Sequence, residues 1–356
     1  MDTFVGIDIH KAFSQVCVQN QEGQTLEQKK LHHDDVESIR EFFAAFPGQV
    51  HVAIEATMGW MWLADELEEL GMDVHLCNQV KAKAISESRL KTDAVDARTL
   101  AHLLRTGFLP EAYLPSAEVR DQRMLLRYRM ALVHMKIRVK NAVHAIMVRY
   151  NVGHGYSDLF GTQGREFLKS LGLPPAGRSC LEGWLKLLEF LESQIGRAEK
   201  ALYRQFRGSI QVQLLSSVPG IGTVLAHLIL AEIGDIEQFI RPKKLVRYAG
   251  LCPSVRQSAK LVRTGHIGGG RKYLQWGLIE AARTASWKDP WLSRFYQRKK
   301  RQKGSGKAIV AVANKLATIV WHILKERRPY RAGNASSPGS ARTMSGGRRR
   351  ASHLVS

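Results

Sequence analysis

A chain of 356 residues with 44% hydrophobic and 24% charged content is long enough for two or three globular domains, each with its own core. No run approaches the ~18 apolar residues of a membrane span, and the opening MDTFVGIDIH lacks the basic flank of a signal peptide. Four scattered cysteines (Cys17, Cys77, Cys180, Cys252) without a Cys-x-x-Cys pair support neither a disulfide framework nor a zinc site and fit a reducing cytoplasm, and the net charge is +21.

Residues 3–8 (TFVGID), 14–19 (SQVCVQ) and 25–31 read as three strands, the third polar enough for a sheet edge. Residues 34–46 read as a helix, QVHVAIE (49–55) as a buried strand, 58–71 as an amphipathic helix and DVHLCN (73–78) as another strand, with helical signal to about 106. That β-β-β-α-β-α-β-α order predicts a mixed sheet flanked by helices, an α/β domain over 1–115 bounded by LP (109–110) and LPS (114–116).

Residues 117–150 form a long helical pattern, with Val119, Leu126, Met130, Val133, Ile137 and Met147 on one seam. After a glycine-bearing loop (about 151–180), Leu181, Leu188, Ile195 and Leu202 recur every seven residues, with Trp184, Leu191 and Ala198 between them. A coiled-coil hairpin, a dimer seam or two bundle helices all fit this 116–206 segment. A mainly α domain follows over 207–328, opening on SSVPGIGTVLAHLILAEIG; its Pro-Gly-x-Gly turn can present backbone N–H groups to a phosphate or serve as a plain tight turn. The remainder, 329–356, is rich in Gly, Ser and Arg and reads as a disordered basic tail.

Residues 241–356 carry 27 Lys and Arg against 3 Asp and Glu, a net of +24, while the first 240 carry 26 bases and 29 acids. Phosphate neutralisation is the commonest reason for such a block, so nucleic acid is the implied partner and a membrane is not. Arg271 and Lys272 in HIGGGRK (266–272) and Arg298, Lys299, Lys300 and Arg301 in RKKRQK (298–303) are the candidate contacts. The aromatics Trp287, Trp291, Phe295 and Tyr296 are placed equally well for base stacking or for a core. GSGK (304–307) lacks the spacing of a phosphate-binding loop.

Against this basic background, four acids stand out. Asp8 and Glu55 end apolar strands, where ligands of α/β sheets bind, and they meet if the first and fourth strands are neighbours. Asp93 and Asp96 share one face of the next helix, which can fold back towards them. Singly, each has a structural explanation: Asp93 in a first turn after Thr92 as N-cap, Asp96 paired with Lys91 or Arg98, Glu55 capping a helix. Together they would repel unless a divalent cation sits between them, and hard oxygen ligands suit Mg²⁺ or Mn²⁺. Two such ions can clamp the attacking and leaving oxygens of a phosphodiester transfer.

The motifs GIDIHK (6–11), IEATMGW (54–60), KTDAVDARTLA (91–101), VPGIG with LAEIGDIEQF (218–239) and YAGLCPSVRQSAK (248–260) together resemble the DEDD transposases of bacterial insertion sequences, described as bridge-RNA-guided recombinases. The resemblance covers nearly all of residues 3–328. It implies an RNase H-like (Holliday-resolvase-like) N-terminal domain with an acidic tetrad at Asp8, Glu55, Asp93 and Asp96. It also implies a catalytic serine after the GLCP motif (250–253), at Ser258, although this chain reads QSAK where relatives often have Ser-Gly; Ser254 is the competing position. Ser258 lies between Arg256 and Lys260 with Arg263 close by, so a scissile phosphate could be held there. Nothing titratable near neutrality sits adjacent, which leaves metal ions as the activator.

The family further implies a covalent phosphoserine link, donor and target DNA as substrates, a noncoding guide RNA, and a dimer or tetramer in which one protomer's acids meet another's serine. A cytoplasmic, nucleoid-associated location follows. The alternatives are a metal-dependent Holliday-junction-type nuclease without serine chemistry and a noncatalytic nucleic-acid-binding protein. A sugar kinase would need a second phosphate loop, and a tyrosine recombinase would leave the acids unexplained.

Overall fold

The computed structural model describes residues 2–79, 81–82, 92–258 and 261–332, with the backbone alone for 254–258, 261–264 and 266. The chain divides into two compact units, Met1–Glu118 and Val119–Ser356.

The first unit is built on a six-stranded sheet of order β3-β2-β1-β4-β5-β6. Its strands are β1 (Thr3–Ile9), β2 (Phe13–Gln19), β3 (Thr25–His32), β4 (Val50–Glu55), β5 (Asp73–Cys77) and β6 (Glu111–Ala112). β4 pairs in parallel with both β1 and β5, and the other pairs are antiparallel. Parallel neighbours need crossover connections and burial on both faces, which explains the near-continuous apolar runs of β1 and β4. On one face Val5, Ile7, Val52 and Ile54 pack under α1 (Val36–Ala44) and α2 (Trp60–Glu69) through Ile39, Phe43, Leu63 and Leu67. Alternation places Phe4, Gly6 and Asp8 on the opposite face, where α3 (Asp93–Arg105) lies. β3 is exposed except at Leu31, as its polar sequence predicts. β6 departs from the sequence reading: two residues carry no periodicity, yet they add an antiparallel edge through Leu76–Ala112 and Cys77–Glu111.

In the second unit α4 (Ala117–Arg149) and α6 (Pro175–Gln205) run in opposite directions. Arg129 meets Glu199, Lys136 meets Glu192, and Tyr150 sits against Gly177, so the register steps down one helix as it climbs the other. Leu181, Leu188, Ile195 and Leu202 are buried as the seven-residue repeat predicts. Leu185 takes the position assigned to Trp184, which is exposed; on α4 Val139 and Val143 are buried while Ile137 is exposed. A strict seven-residue seam drifts around a helix of 3.6 residues per turn, and over 33 residues the drift moves the buried stripe off Ile137. The segment read as a loop over 151–180 contains a helix, α5 (Thr162–Ser170), whose Leu168 joins Leu159 and Phe160 between the long helices.

The remaining helices are α7 (Ile210–Ser216), α8 (Thr223–Ile233), α9 (Pro242–Tyr248), α10 (Lys272–Lys288), α11 (Pro290–Lys303) and α12 (Ser305–Glu326), and they share one core. A hairpin of β7 (Pro253–Ser258) and β8 (Leu261–Ile267) interrupts this otherwise helical region. α12 is long and apolar enough to cross a membrane by composition, but half of its apolar stretch, including Val312, Leu316 and Val320, is buried in this core. Tyr330, assigned from sequence to the tail, packs on the core and donates its hydroxyl to buried Asp289 at 2.8 Å; the rest of the tail, 333–356, lies outside the described residues. Glu232 of the LAEIG motif is buried and held bidentately by Arg127, while Arg123 donates to the Ala231 and Glu232 carbonyls.

Candidate functional site

Gly6 stands two residues before Asp8 on the same face of β1. A Cβ there would lie 2.1 Å from the Ala97 carbonyl oxygen and 2.4 Å from the Ala101 nitrogen of α3. Hydrogen at position 6 and methyl groups at 97 and 101 therefore let the helix rest on the strand's backbone, with Leu100 and Leu103 buried beside it. Thr92 caps the helix, its hydroxyl accepting from the Val95 amide at 3.3 Å, so Asp93 and Asp96 occupy the first turn. Strand and helix together bring that turn to the C-terminal end of β1.

There Asp8, His10 and Asp93 converge. His10 Nε2 lies 3.3 Å from Asp8 Oδ2 and 3.2 Å from Asp93 Oδ2, and its ring stacks on Phe13. Burial pushes the Asp8 carboxyl above its ordinary value; His10 opposes the rise, and the charges of Asp93 and Asp96 add to it. His10 Nε2 is shut off from solvent yet satisfies hydrogen-bond geometry to no neighbour. A buried nitrogen lying between two carboxylates, with a third acid close enough to be felt, is a donor set that fits a divalent cation. His10 is not among the carboxylates singled out from the sequence; the signal for it is its place two residues after Asp8, just past the end of β1.

Glu55 ends β4, in the position beside Asp8 that continues the Ile7–Ile54 register. The Gln79 amide donates to its Oε2 at 3.1 Å. The buried Cys77 thiol beside it is pushed up to about 12 by burial and by the Glu55 charge, leaving it inert as a nucleophile. Glu55 does not cap α2, whose N-cap is Gly59, and Arg98 donates to Gln28 rather than to Asp96.

In the second unit Ser258 is the last residue of β7, paired with Leu261 of β8. The side chains of Ser258, Ser254, Arg256 and Arg263, and all of Lys260, lie outside the described residues. The base of this hairpin is pinched: a Cβ on Gly270 would lie 2.2 Å from the Gly250 nitrogen, Gln275 donates to the Gly250 carbonyl at 2.7 Å, and the Arg271 amide donates to Tyr248 at 3.0 Å. The glycines of HIGGGRK thus include a packing contact with the GLCP motif. The Arg271 guanidinium lies over the Tyr248 ring, and Lys272 is exposed. The Pro-Gly-x-Gly turn is also packed, since Gly220 abuts the backbone of α10 at Ala281, while Gly222 and Thr223 at the start of α8 are exposed.

On α11, Arg298, Lys300 and Arg301 are exposed and Lys299 partly so. Trp291 and Phe295 stack at 6.4 Å and, with Arg294, Arg298 and Lys315, line a shallow groove containing no acid. Trp287 is 87% exposed. Trp291, Phe295 and Tyr296 lean on the core, and Trp291 and Phe295 also face a cationic groove.

A family model for the DEDD transposases of IS110, described as "Transposase", matches residues 5–152, and one described as "Transposase IS116/IS110/IS902 family" matches residues 212–297. The chain is 27% identical to a probable family 20 transposase of Pseudomonas aeruginosa, over 92% of its own length and 98% of the relative's. It is 26% identical to the transposase for insertion sequence element IS1111A of Coxiella burnetii, over 92% and 91%. Over 34% of its length it is 36% identical to the pilin gene-inverting protein of Moraxella bovis, covering 38% of that protein.

Proposed function

We propose that the chain is an insertion-sequence transposase of the IS116/IS110/IS902 family whose sheet-end acids hold divalent cations for DNA strand cleavage and exchange. The observation that carries this reading is the meeting of Asp8, His10 and Asp93 at the end of β1, with Asp96 near enough to raise the Asp8 carboxyl. The sheet order β3-β2-β1-β4-β5 supports an RNase H-like domain.

Asp8 and Asp93 are the residues that would hold the ion, joined by Asp96 and Glu55; Mg²⁺ is the physiological choice and Mn²⁺ a competent substitute. A bound ion would stabilise the charge that develops on a phosphodiester as its oxygens exchange. His10, whose Nε2 lies between the Asp8 and Asp93 carboxylates, would add a nitrogen to that ligand set. Gly6 fixes the distance between β1 and α3, and hence the spacing of Asp8 from Asp93.

Ser258 is the proposed nucleophile. Its Oγ–phosphorus bond forms as a phosphorus–oxygen bond to deoxyribose breaks; the hydroxyl proton leaves to solvent and the departing oxygen gains one. One phosphodiester is traded for another, so the strand can later be rejoined without an external energy source. Arg256, Lys260 and Arg263 would hold the scissile phosphate. Arg271, Lys272, Arg298, Lys299, Lys300 and Arg301 would bind the backbones of donor and target DNA and of a noncoding guide RNA, which would choose the site by base pairing. A dimer or tetramer would let one protomer's acids serve another's serine.

The test is to incubate the full chain with its element's RNA, donor and target DNA and Mg²⁺, and to look for a covalent protein–DNA adduct after denaturation. Ser258→Ala is expected to abolish the adduct and keep nucleic-acid binding, while Ser254→Ala keeps both. Cleavage without any adduct in the unmodified protein would instead favour the metal-dependent junction nuclease.

A further inference from the structure

A second cluster occupies the other end of the same sheet face. Starting from Glu55, four residues back along β4 is His51, about 13 Å away at strand spacing. His51 is in register with Asp73 of β5, and His75 follows two residues on, so all three side chains project from one face. Glu111 of β6, paired with Cys77, projects there as well. His51 Nδ1 lies 2.8 Å from Asp73 Oδ2, and His75 Nε2 lies 3.0 Å from the same oxygen. The other nitrogen of His75, Nδ1, is 2.9 Å from Glu111 Oε1.

The protons do not suffice for this arrangement when His75 is neutral. A neutral imidazole has one N–H and one lone pair, and carboxylates only accept. His75 faces a carboxylate oxygen at both nitrogens, so if Nδ1–H donates to Glu111 its Nε2 lone pair confronts Asp73 Oδ2. Either a second proton or a cation must lie between them. Two imidazoles and a carboxylate whose donor atoms all fall within 4.8 Å of one another form a three-ligand set of the kind that binds zinc with a water in the fourth position. A carboxylate on the far nitrogen of a ligating histidine is the usual outer partner that fixes its tautomer. Phe4, stacked on the His51 ring at 5.3 Å, fixes the orientation of that ligand.

We propose that His51, Asp73 and His75 form a cation site of the zinc class, separate from the acidic end of the sheet, with Glu111 orienting His75. Nitrogen ligands favour a borderline transition metal here over Mg²⁺. The site joins β4 to β5 and, through Glu111, secures β6, which has only two residues of its own to hold the sheet edge. Cysteine spacing gave no hint of it, because its ligands are histidines and an aspartate brought together by strand register.

The test uses full-length chain stripped with chelator, in an Asp8→Asn background that removes the main ligand of the other site. Titration with Co²⁺ is expected to give the intense visible bands of tetrahedral coordination at one equivalent, displaced by Zn²⁺, and Zn²⁺ should raise the melting temperature. His75→Ala and His51→Ala should abolish both effects. Glu111→Gln, an exposed and milder change, should keep the bands and weaken affinity about 10–100-fold. Co²⁺ bands that survive His75→Ala, or no stoichiometric binding in a folded Asp8→Asn protein, would overturn the proposal and leave a proton-bridged hydrogen-bond network. DNA cleavage is not read, so this result stands apart from the transposase reading.

Discussion

The acidic end of the sheet draws Asp8 from β1, His10 from just past the end of that strand and Asp93 from a helix far along the chain, whereas the cationic groove draws Trp291, Arg294, Phe295 and Arg298 from a single helix and only Lys315 from another. The first exists only because α3 lies on β1 with no Cβ at Gly6 between them. The second follows from helical spacing alone. A convergent site of this kind fails abruptly when one contact is displaced. A helix face loses affinity one charge at a time.

The largest effect separating the two is expected from Asp8→Asn, which should lower metal-dependent cleavage at least about 100-fold and leave DNA affinity within a factor of a few, read by cleavage and gel-shift assays on the same preparation. Gly6→Val tests the convergence itself. Its branched side chain must push α3 away, costing roughly 1–3 kcal/mol in urea unfolding and most of the cleavage activity without touching an acid. An active Gly6→Val protein would show that the spacing of β1 and α3 is immaterial.

On the basic side, Arg298→Gln with Arg301→Gln should weaken duplex binding evenly across sequences and lower the slope of log affinity against log salt by about 2. Cleavage at saturating DNA should persist. The smallest effect concerns pH. The Asp8 carboxyl is raised in the folded chain, so its contribution to stability is fully present below the ordinary value of 3.8 and is lost as pH rises through the raised one. In chelator, Asp8→Asn should therefore become more stable than the unmodified protein as pH rises through that window; Mg²⁺ should reverse the order. Parallel melting curves for the two proteins would contradict the raised carboxyl.

How legible these features were differs in the same way. The strand-end acids Asp8 and Glu55 were readable because a charge closing an apolar run is costly without a partner, and β1 and β4 are indeed neighbours. Thr92 and the leucines of α3 were readable from capping and spacing. His10 was not, because an imidazole two residues past an acid gains meaning only once strand geometry points both at Asp93. Gly6 and Gly270 were quoted within motifs, but the backbones they admit, α3 and Gly250, come from elsewhere in the chain. The His51–Asp73–His75 cluster depends on parallel register between β4 and β5, which no local pattern encodes.

If the acids at the end of β1 hold the cation on which strand cleavage depends, removing either the ion or a single acid stops the reaction. Cleavage of DNA carrying the ends of an insertion element is measured with the full chain in chelator, Mg²⁺ or Mn²⁺, with and without the element's RNA, for the unmodified protein, Asp8→Asn and Asp93→Asn. Cleavage is expected from the unmodified protein with either ion, none in chelator, and none from the two variants although both are folded and bind DNA. Cleavage in chelator, or full activity from Asp8→Asn, would contradict that dependence.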